Sequence, residues 1–149
     1  MRTETQHKHD GWQAAPTPIL FVDHADALGG AELCLLMLIQ HLVPARWTPH
    51  LACPPGPLAR HAEALGVAVR PLALPRLRRS FRFLPDWLAG ARHLARLAEE
   101  VEAAALYANT VRAAVYAAPA VYLSSRPLFW HMRDFWLSEE APRLRWPDR

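Results

Sequence analysis

Residues 18–32 of this chain have the sequence PILFVDHADALGGAE, in which an apolar run is followed by a polar patch and a glycine pair. The apolar run, Ile19–Asp23, is typical of a buried β-strand, and Glu32 stands in the first turn of an apolar helical pattern. The stretch therefore predicts a strand, a tight loop at Gly29-Gly30 and the start of a helix. Open α/β sheets bind ligands at such junctions, because loop backbone approaches closely and helix N–H groups point outward.

The rest of the chain repeats this alternation of strand and helix patterns. Strands are predicted over 48–53, 67–74, 105–108 and 127–132, and helices over 31–42, 57–65, 85–103 and 111–123. Strands separated by helices indicate right-handed βαβ units, so the sequence predicts a doubly wound, mostly parallel Rossmann-like α/β sheet of about five strands with helices on both faces. The first helix is apolar nearly all round, which predicts burial between the sheet and another layer. Pro119 is expected to kink or end the last helix.

Length and composition fit one globular domain and exclude several classes of protein. The 149 residues are 52% hydrophobic, and the net charge of +3 comes almost entirely from arginine, since Lys8 is the only lysine. No RNP-like pattern or zinc-finger spacing occurs, so a nucleic-acid partner is not predicted. Two isolated cysteines, Cys34 and Cys53, make neither a disulfide framework nor a metal site. So few cysteines predict a reducing, cytoplasmic setting, and the apolar runs are too short to span a bilayer while the polar N-terminus lacks a signal-peptide core.

Polar side chains collect where three of the predicted strands end. They are Asp23, His24 and Asp26 after the first strand, Asn109, Thr110 and Arg112 after the fourth, and His131, Arg133 and Asp134 after the fifth. The carboxyl ends of parallel strands form the ligand-binding edge of an open sheet, so these groups line one rim if the three strands are neighbours. Loop amides and arginines bind oxyanions, and histidine moves protons near neutral pH, which indicates a polar, partly anionic ligand.

Each of these residues also has a purely structural interpretation. The glycine pair alone is a common tight turn, His24 could bond a loop, and Asp23 could orient a neighbouring histidine. Asn109 could serve as a turn or cap residue for the following helix. Arg133 and Asp134 could form a surface ion pair that contributes little stability. The clustering at strand ends, and not any single residue, favours a binding site.

Three motifs, in order along the chain, resemble those of GT-B glycosyltransferases of the family-4 type. Residues 28–32 (LGGAE) are similar to that family's first loop, and residues 107–110 (YANT) to its fourth-strand H-x-N segment, with Tyr107 in place of the usual histidine. Residues 129–135 (FWHMRDF) resemble the H-x-R-D variant of its fifth-strand motif. The resemblance spans roughly residues 18–135 and implies one half of a GT-B fold, the acceptor-side domain.

The resemblance also implies a function and a set of site residues. It implies transfer of a sugar from a nucleotide-sugar co-substrate to a glycan or lipid-linked acceptor, usually with retention and with neither an essential metal nor another cofactor. It places His131 at the reaction centre as the catalytic residue, in contact with the sugar. It assigns substrate and donor-phosphate binding to Gly29, Gly30, Glu32, Asn109, Thr110 and Arg133.

The expected domain organisation is one folded unit between two tails. We expect a disordered polar tail over 1–17, the Rossmann-like glycosyltransferase domain over 18–136, and an incomplete element over 137–149. Family members carry a second Rossmann-like domain with the nucleotide and a Glu-x7-Glu signature, which these residues do not contain. The chain is therefore expected to be inactive alone and to need a donor domain in cis or in trans.

A basic loop supports a second class of function. Arg76, Arg78, Arg79 and Arg82 alternate with apolar residues after the third predicted strand, as a patch for an acceptor or a membrane surface would. The alternative function is thus a non-catalytic module that binds an anionic ligand or peripherally contacts the inner face of a membrane. A solvated loop is the simpler interpretation of this segment. A nucleotide- or small-anion-binding α/β protein of another family, such as a flavodoxin-like domain, is a third interpretation of the chain.

Overall fold

One sheet of five parallel strands organises the chain in a computed structural model, which describes residues 15–76 and 81–132. The strands are β1 (Thr17–Val22), β2 (Trp47–Cys53), β3 (Ala68–Pro71), β4 (Ala105–Ala108) and β5 (Leu128–Trp130). The helices are α1 (Gly30–Gln40), α2 (Pro57–Ala64), α3 (Leu84–Glu100) and α4 (Val111–Ser124), and a short 3-10 turn, Phe81–Phe83, leads into α3. The predicted tails fall outside the described residues except for 15–17, of which Thr17 already belongs to β1.

The strand order is β3-β2-β1-β4-β5, so the chain winds outward in both directions from β1. Phe21 of β1 lies opposite Leu51 of β2 on one side and Tyr107 of β4 on the other, and all pairings are parallel. The prediction of a doubly wound Rossmann-like sheet is confirmed, and strands β1, β4 and β5 are neighbours, as a shared rim requires. The flavodoxin-like interpretation is wrong, because that fold has the strand order 2-1-3-4-5.

Alternate side chains of the strands enter two separate cores. On one face, α1 and α2 cover Phe21 and Leu51, with Leu35 of α1 also fully buried. On the other face, α3 and α4 cover Leu20 and Val22. Each such large apolar side chain contributes about 1.5–3 kcal/mol by leaving water, so both helical layers are held to the sheet independently.

The first helix is not buried all round, contrary to the prediction. Leu35 and Ile39 are buried against the sheet, whereas Leu33 and Met37 are 51% and 60% exposed. A helix on one face of a sheet has a single layer to pack against. Apolar composition alone does not supply a second layer, so the outer stripe of α1 meets solvent.

The last helix runs through Pro119 and does not end there. Proline lacks the N–H that would bond the carbonyl four residues earlier, here that of Val115. The indole Nε1–H of Trp87, at the start of α3, donates to the Val115 carbonyl at 3.0 Å. A neighbouring helix thus supplies the missing donor, which allows α4 to continue to Ser124.

Two of the strands are shorter than predicted. β3 has four residues and β5 has three. β3 ends at Pro71, which has no N–H to donate to the sheet.

Within the described ranges, no helix combines the length and the apolar character needed to cross a membrane.

Candidate functional site

A buried hydrogen-bonded pair joins the carboxyl ends of β1 and β4. Asp23 and Asn109 are both fully buried. The Asn109 amide donates to Asp23 Oδ2 at 2.6 Å and to the Ala31 carbonyl at 3.2 Å. The remaining oxygen, Asp23 Oδ1, accepts from the Ala25 N–H at 2.9 Å. One amide side chain therefore holds β1, β4 and the first turn of α1 in a fixed arrangement.

Burial raises the pKa of Asp23 above its ordinary value of 3.8, because the charged form loses water. The hydrogen bonds from Ala25 and Asn109 oppose this shift by stabilising the carboxylate, while the Glu32 charge adds to it. Asp23 and Asn109 thus lie beneath the rim, where they fix the loop that follows β1. The interpretation of Asn109 as the helix cap is wrong, since Thr110 has that role.

His24 and Thr110 form a second pair above the first. His24 Nδ1 lies 2.8 Å from Thr110 Oγ1, which also accepts from the Ala113 N–H at 3.2 Å and so caps α4. Burial, followed by the nearby charge of Arg112, lowers the pKa of His24 from 6.5, which keeps this ring neutral at neutral pH. Asp23 Oδ1 is 3.8 Å from His24 Nδ1, too far for a hydrogen bond, so Asp23 does not orient His24 directly.

The glycine loop is closed by an acidic side chain. Glu32 Oε2 accepts from the Gly29 N–H at 2.8 Å, which is the return half of a capping box. Glu32 is only 7% exposed, whereas Gly29 and Gly30 are exposed. The Gly29 amide therefore already has a carboxylate partner. The outward N–H groups of this helix end are those from Gly30 onward, where no atom lies within 4 Å of the position a Cβ would take.

A second loop packs tightly against the loop after β1. A Cβ at Gly56, between β2 and α2, would stand 2.2 Å from the carbonyl oxygen of Asp26. Glycine is needed at this point because two backbones approach too closely for any side chain. The contact holds the loop from its outer side. Nothing in the local sequence around Gly56 indicates which backbone segment it will contact.

His131 follows β5 directly, is exposed, and contacts Tyr107 of β4. Its backbone N–H donates to the Ala108 carbonyl at 3.0 Å, and its ring Nδ1 lies 2.5 Å from the Tyr107 hydroxyl. The Tyr107 ring packs against Phe21 of β1, with centroids 5.0 Å apart. In the sequence, Tyr107 stands out only as a departure from the H-x-N motif. The sequence signal for its contact with His131 is that both residues fall on the same face of two neighbouring strands.

Arginine side chains also lie near the carboxyl ends of the strands, on the face of the sheet that α3 and α4 cover. Arg76 and Arg82 line a cavity of about 560 Å³ together with Pro75, Phe83 and Asp86. The Tyr116 hydroxyl donates to the Pro75 carbonyl at 2.9 Å and so ties this loop to α4. Arg112 lies one turn before Tyr116, and burial followed by the like charge of Arg76 lowers the pKa of Arg112. Positive charge is therefore concentrated beside the N-terminus of α4.

The structure brings most of the predicted site residues to one edge. Gly29, Gly30, Glu32, Asn109 and Thr110 surround the junction of β1 and β4, and His131 stands one strand further along. The predicted residues that lie outside the described part of the chain are Arg78, Arg79, Arg133 and Asp134. Among residues 15–76 and 81–132, no group of three or more His, Cys, Asp and Glu side chains could hold a metal ion.

Solved structures share this fold. The chain matches HepE of Anabaena in complex with UDP-glucose at 25% identity and a TM-score of 0.63, over 80% of this chain and 30% of that one. MurG of Acinetobacter baumannii matches at 15% identity and 0.62, over 78% and 35% of the two chains. A glycosyltransferase of Rickettsia africae matches at 16% identity and 0.61, over 77% and 29%. The sequence matches no protein-family model and no curated protein.

These neighbours are GT-B glycosyltransferases, and the chain spans about 30% of the length of the first of them. The five parallel strands and their flanking helices correspond to one half of a GT-B fold, as the resemblance implied. The family-4 type of the resemblance stays a prediction.

Proposed function

We propose that this chain is the acceptor-side half of a glycosyltransferase that moves a sugar from a nucleotide-sugar to a glycan or lipid-linked acceptor. One observation carries the proposal: the glycine loop, Asn109 and His131 follow the adjacent strands β1, β4 and β5, and the strand order reverses between β1 and β4. Open α/β sheets bind ligands at this point. The likeness to HepE, which was crystallised with UDP and with UDP-glucose, supports a nucleotide-sugar as donor.

The proposed roles follow from the position of each group. His131 is exposed at the rim and meets the sugar, as the resemblance implies for this motif position. The amides from Gly30 onward are offered to a donor phosphate, favoured by the positive end of the helix dipole. A carboxylate repels phosphate and accepts from hydroxyls, so we assign Glu32 to the loop and to sugar hydroxyls. Arg133 keeps its proposed role on the acceptor side.

We infer that a second domain, in cis or in trans, holds the nucleotide. The chain spans about 30% of the length of HepE, which leaves room for such a domain in a protein of that length. One wall of a cleft can neither align two substrates nor exclude water, and these effects supply much of the rate in group transfer. The chain alone is therefore proposed to be inactive. The nucleotide-sugar is a co-substrate, and the proposal includes no metal or other cofactor.

The test compares the isolated chain with a two-domain protein. The DNA after the codon for Arg149 is sequenced, and any frame that encodes a Rossmann-like half with Glu-x7-Glu is expressed joined to the chain. Hydrolysis and transfer are assayed with UDP-glucose and other nucleotide-sugars. We expect turnover from the joined protein only, and a kcat lowered about 10²–10³-fold by His131→Ala, as for the loss of one transition-state hydrogen bond. His93→Ala, at an exposed histidine of α3, is the matched control and should leave kcat unchanged.

Two outcomes contradict parts of this proposal. Turnover by the isolated chain would show that no donor domain is needed. A joined protein without turnover would remove the catalytic function and leave the non-catalytic alternative, whereas absence of a donor half in the surrounding DNA would exclude only a donor domain in cis.

The arginine-lined cavity supports that alternative, a module that binds an anionic ligand or a membrane surface. Arg76 and Arg82 are both exposed and line the same cavity, and each basic residue near an anionic surface contributes about 1 kcal/mol, or about fivefold in affinity. Salt-sensitive binding to vesicles rich in phosphatidylglycerol, weakened by Arg76→Gln and by Arg82→Gln, is expected. Equal binding to phosphatidylcholine vesicles would contradict it. An anionic lipid-linked acceptor would make the two functions compatible.

A further inference from the structure

We propose that Tyr107 is a positioning residue for His131: its hydroxyl donates to Nδ1 and holds the neutral ring as the Nε2–H tautomer. His131 then presents an N–H donor, and not a lone pair, at the rim of the sheet. The further step, in which this N–H donates to a sugar oxygen, rests on the proposed function. The Tyr107–His131 contact itself rests only on the geometry of β4 and β5.

The sheet brings the two residues to the same face. Tyr107 lies opposite Phe129 in the parallel register, and His131 follows Phe129 by two residues, so both side chains leave the sheet on one side. The His131 N–H bonds the Ala108 carbonyl at 3.0 Å, which extends the β4–β5 pairing by one residue. The backbone of His131 is thereby fixed although its side chain is exposed.

The packing of the Tyr107 ring fixes the position of its hydroxyl. Its ring belongs to the core between the sheet and the helices α1 and α2, where it packs against Phe21 at a centroid distance of 5.0 Å. A tyrosine with a packed ring has little freedom to move its hydroxyl. The rings of Tyr107 and His131 lie 6.0 Å apart and 79° inclined, an edge-to-face arrangement that adds some attraction.

The chemistry follows from the proton count of imidazole. A neutral ring has one N–H and one lone pair, so a ring that accepts a hydrogen bond at Nδ1 carries its proton on Nε2. That Nε2–H can donate to a sugar hydroxyl or to an oxygen that gains negative charge. In the other tautomer Nε2 could only accept. The partner of the inner nitrogen thus decides what the outer nitrogen offers, as in other oriented histidines.

Tyr107 is also where the 107–110 segment departs from the motif it resembles. A tyrosine at this position differs from a histidine because it carries a hydroxyl group, which lies further from the backbone than the ring nitrogens of a histidine would. The contact at 2.5 Å between that hydroxyl and His131 Nδ1 gives the departure a physical role.

The test is NMR spectroscopy of the full chain with ¹⁵N-labelled histidine. Two-bond ¹H–¹⁵N correlation spectra distinguish the tautomers of a neutral ring by their pattern of strong and weak peaks, and the His131 peaks are identified by their loss in His131→Gln. We expect the Nε2–H pattern in the wild type. Tyr107→Phe keeps the ring but removes the hydroxyl, so the His131 Nδ1 resonance should move by several ppm towards that of an unbonded ring nitrogen. Tyr122→Phe makes the same change at a tyrosine that is 88% exposed on α4, and should leave His131 unchanged.

An Nδ1–H pattern in the wild type would overturn the proposal. So would unchanged His131 nitrogen resonances in a Tyr107→Phe protein whose amide spectrum shows it to be folded. Should Tyr107→Phe unfold, the wild-type Nδ1 resonance still decides: a position several ppm from that of an unbonded ring nitrogen supports the hydrogen bond, and the position of an unbonded nitrogen overturns it. None of these results requires turnover, so failure of the glycosyltransferase function is measured separately. In an active joined protein, Tyr107→Phe should lower kcat by less than His131→Ala does and leave KM unchanged.

Discussion

The Asp23 carboxylate illustrates how single residues hold the site. Asp23 has no exposed surface and replaces its water with hydrogen bonds from Ala25 and Asn109. Burying a carboxylate is costly unless its oxygens are paired. The pair therefore fixes the start of the loop that carries Gly29 and Gly30, although neither member reaches the surface.

Replacing Asn109 by alanine is expected to lower the free energy of unfolding by about 3 kcal/mol, because it leaves a buried carboxylate oxygen without a donor. Urea unfolding at neutral pH measures the change. The matched comparison is the same substitution in an Asp23→Ala protein, where no carboxylate remains and Asn109→Ala should cost clearly less. Equal costs in the two backgrounds would show that Asn109 acts through something other than Asp23.

The raised pKa of Asp23 predicts a pH dependence of stability. Between its ordinary value of 3.8 and its higher folded value, the unfolded chain has already released a proton that the folded chain keeps. The contribution of Asp23 is therefore fully present below pH 3.8 and is lost as the pH rises through the folded pKa. Asn109→Ala removes a hydrogen bond that lowers this pKa, so it should shift the ¹³C-detected titration of Asp23 to still higher pH. A midpoint at or below 3.8 in the wild type would contradict the prediction.

At the scale of elements, α4 is a helix that depends on its neighbour. Pro119 leaves the Val115 carbonyl without its helical donor, and Trp87 of α3 provides one. The Thr110 cap and the Tyr116–Pro75 hydrogen bond fix the first half of the same helix. The segment that begins at the candidate site is thus held along its length by side-chain contacts as well as by its own backbone.

Trp87→Phe is expected to destabilise the chain by about 1–3 kcal/mol, because the Val115 carbonyl loses its donor. In a Pro119→Ala protein the alanine N–H can bond that carbonyl, so the cost of Trp87→Phe should fall by about 1 kcal/mol. Pro119→Ala alone should stabilise α4, since proline is the least favourable residue in a helix interior. Thermal or urea unfolding of the four proteins completes the cycle. Additive effects would mean that the Trp87 contact is not coupled to the proline.

At the scale of the whole molecule, apolar side chains remain exposed along the β5 edge. Phe129, Trp130 and Met132 are 61%, 45% and 55% exposed, and Tyr122 and Leu123 at the end of α4 are also exposed. Several exposed large apolar side chains on one edge strand commonly mark an interface. In a GT-B half-fold, an interface with a second domain would account for such a surface.

The isolated chain is therefore expected to self-associate, with an apparent mass in size-exclusion chromatography and light scattering that grows with concentration. Phe129→Arg places a charge on the β5 edge and should reduce the association. Leu33→Arg places the same charge on the outer stripe of α1, which is 51% exposed at this residue, and should have little effect. A monomer at every concentration, or an equal effect of the two substitutions, would contradict an interface at β5.

Much of this architecture followed from local patterns. The alternation of strand and helix segments, with the right-handed crossover rule, predicted the doubly wound sheet, and β4 was predicted at its observed bounds. Because parallel strands end at a common edge, the positions of Asp23, Asn109 and His131 along the chain also predicted that they would lie at one edge of the sheet. These inferences needed only periodicity, turn residues and chain direction, which adjacent residues carry.

Contacts between distant segments depended on how the layers pack in three dimensions. Asn109 meets Asp23 across 86 positions, and Trp87 meets Val115 across 28. The same holds for the contact of Tyr107 with His131 and for the exposure of one side of α1. A local pattern shows which side chains a segment carries. The hydrogen-bond partners and the burial of those side chains depend on which distant segments pack against it. The candidate site was thus foreseeable as a position on the sheet edge, whereas its hydrogen bonds and pKa shifts depend on tertiary contacts.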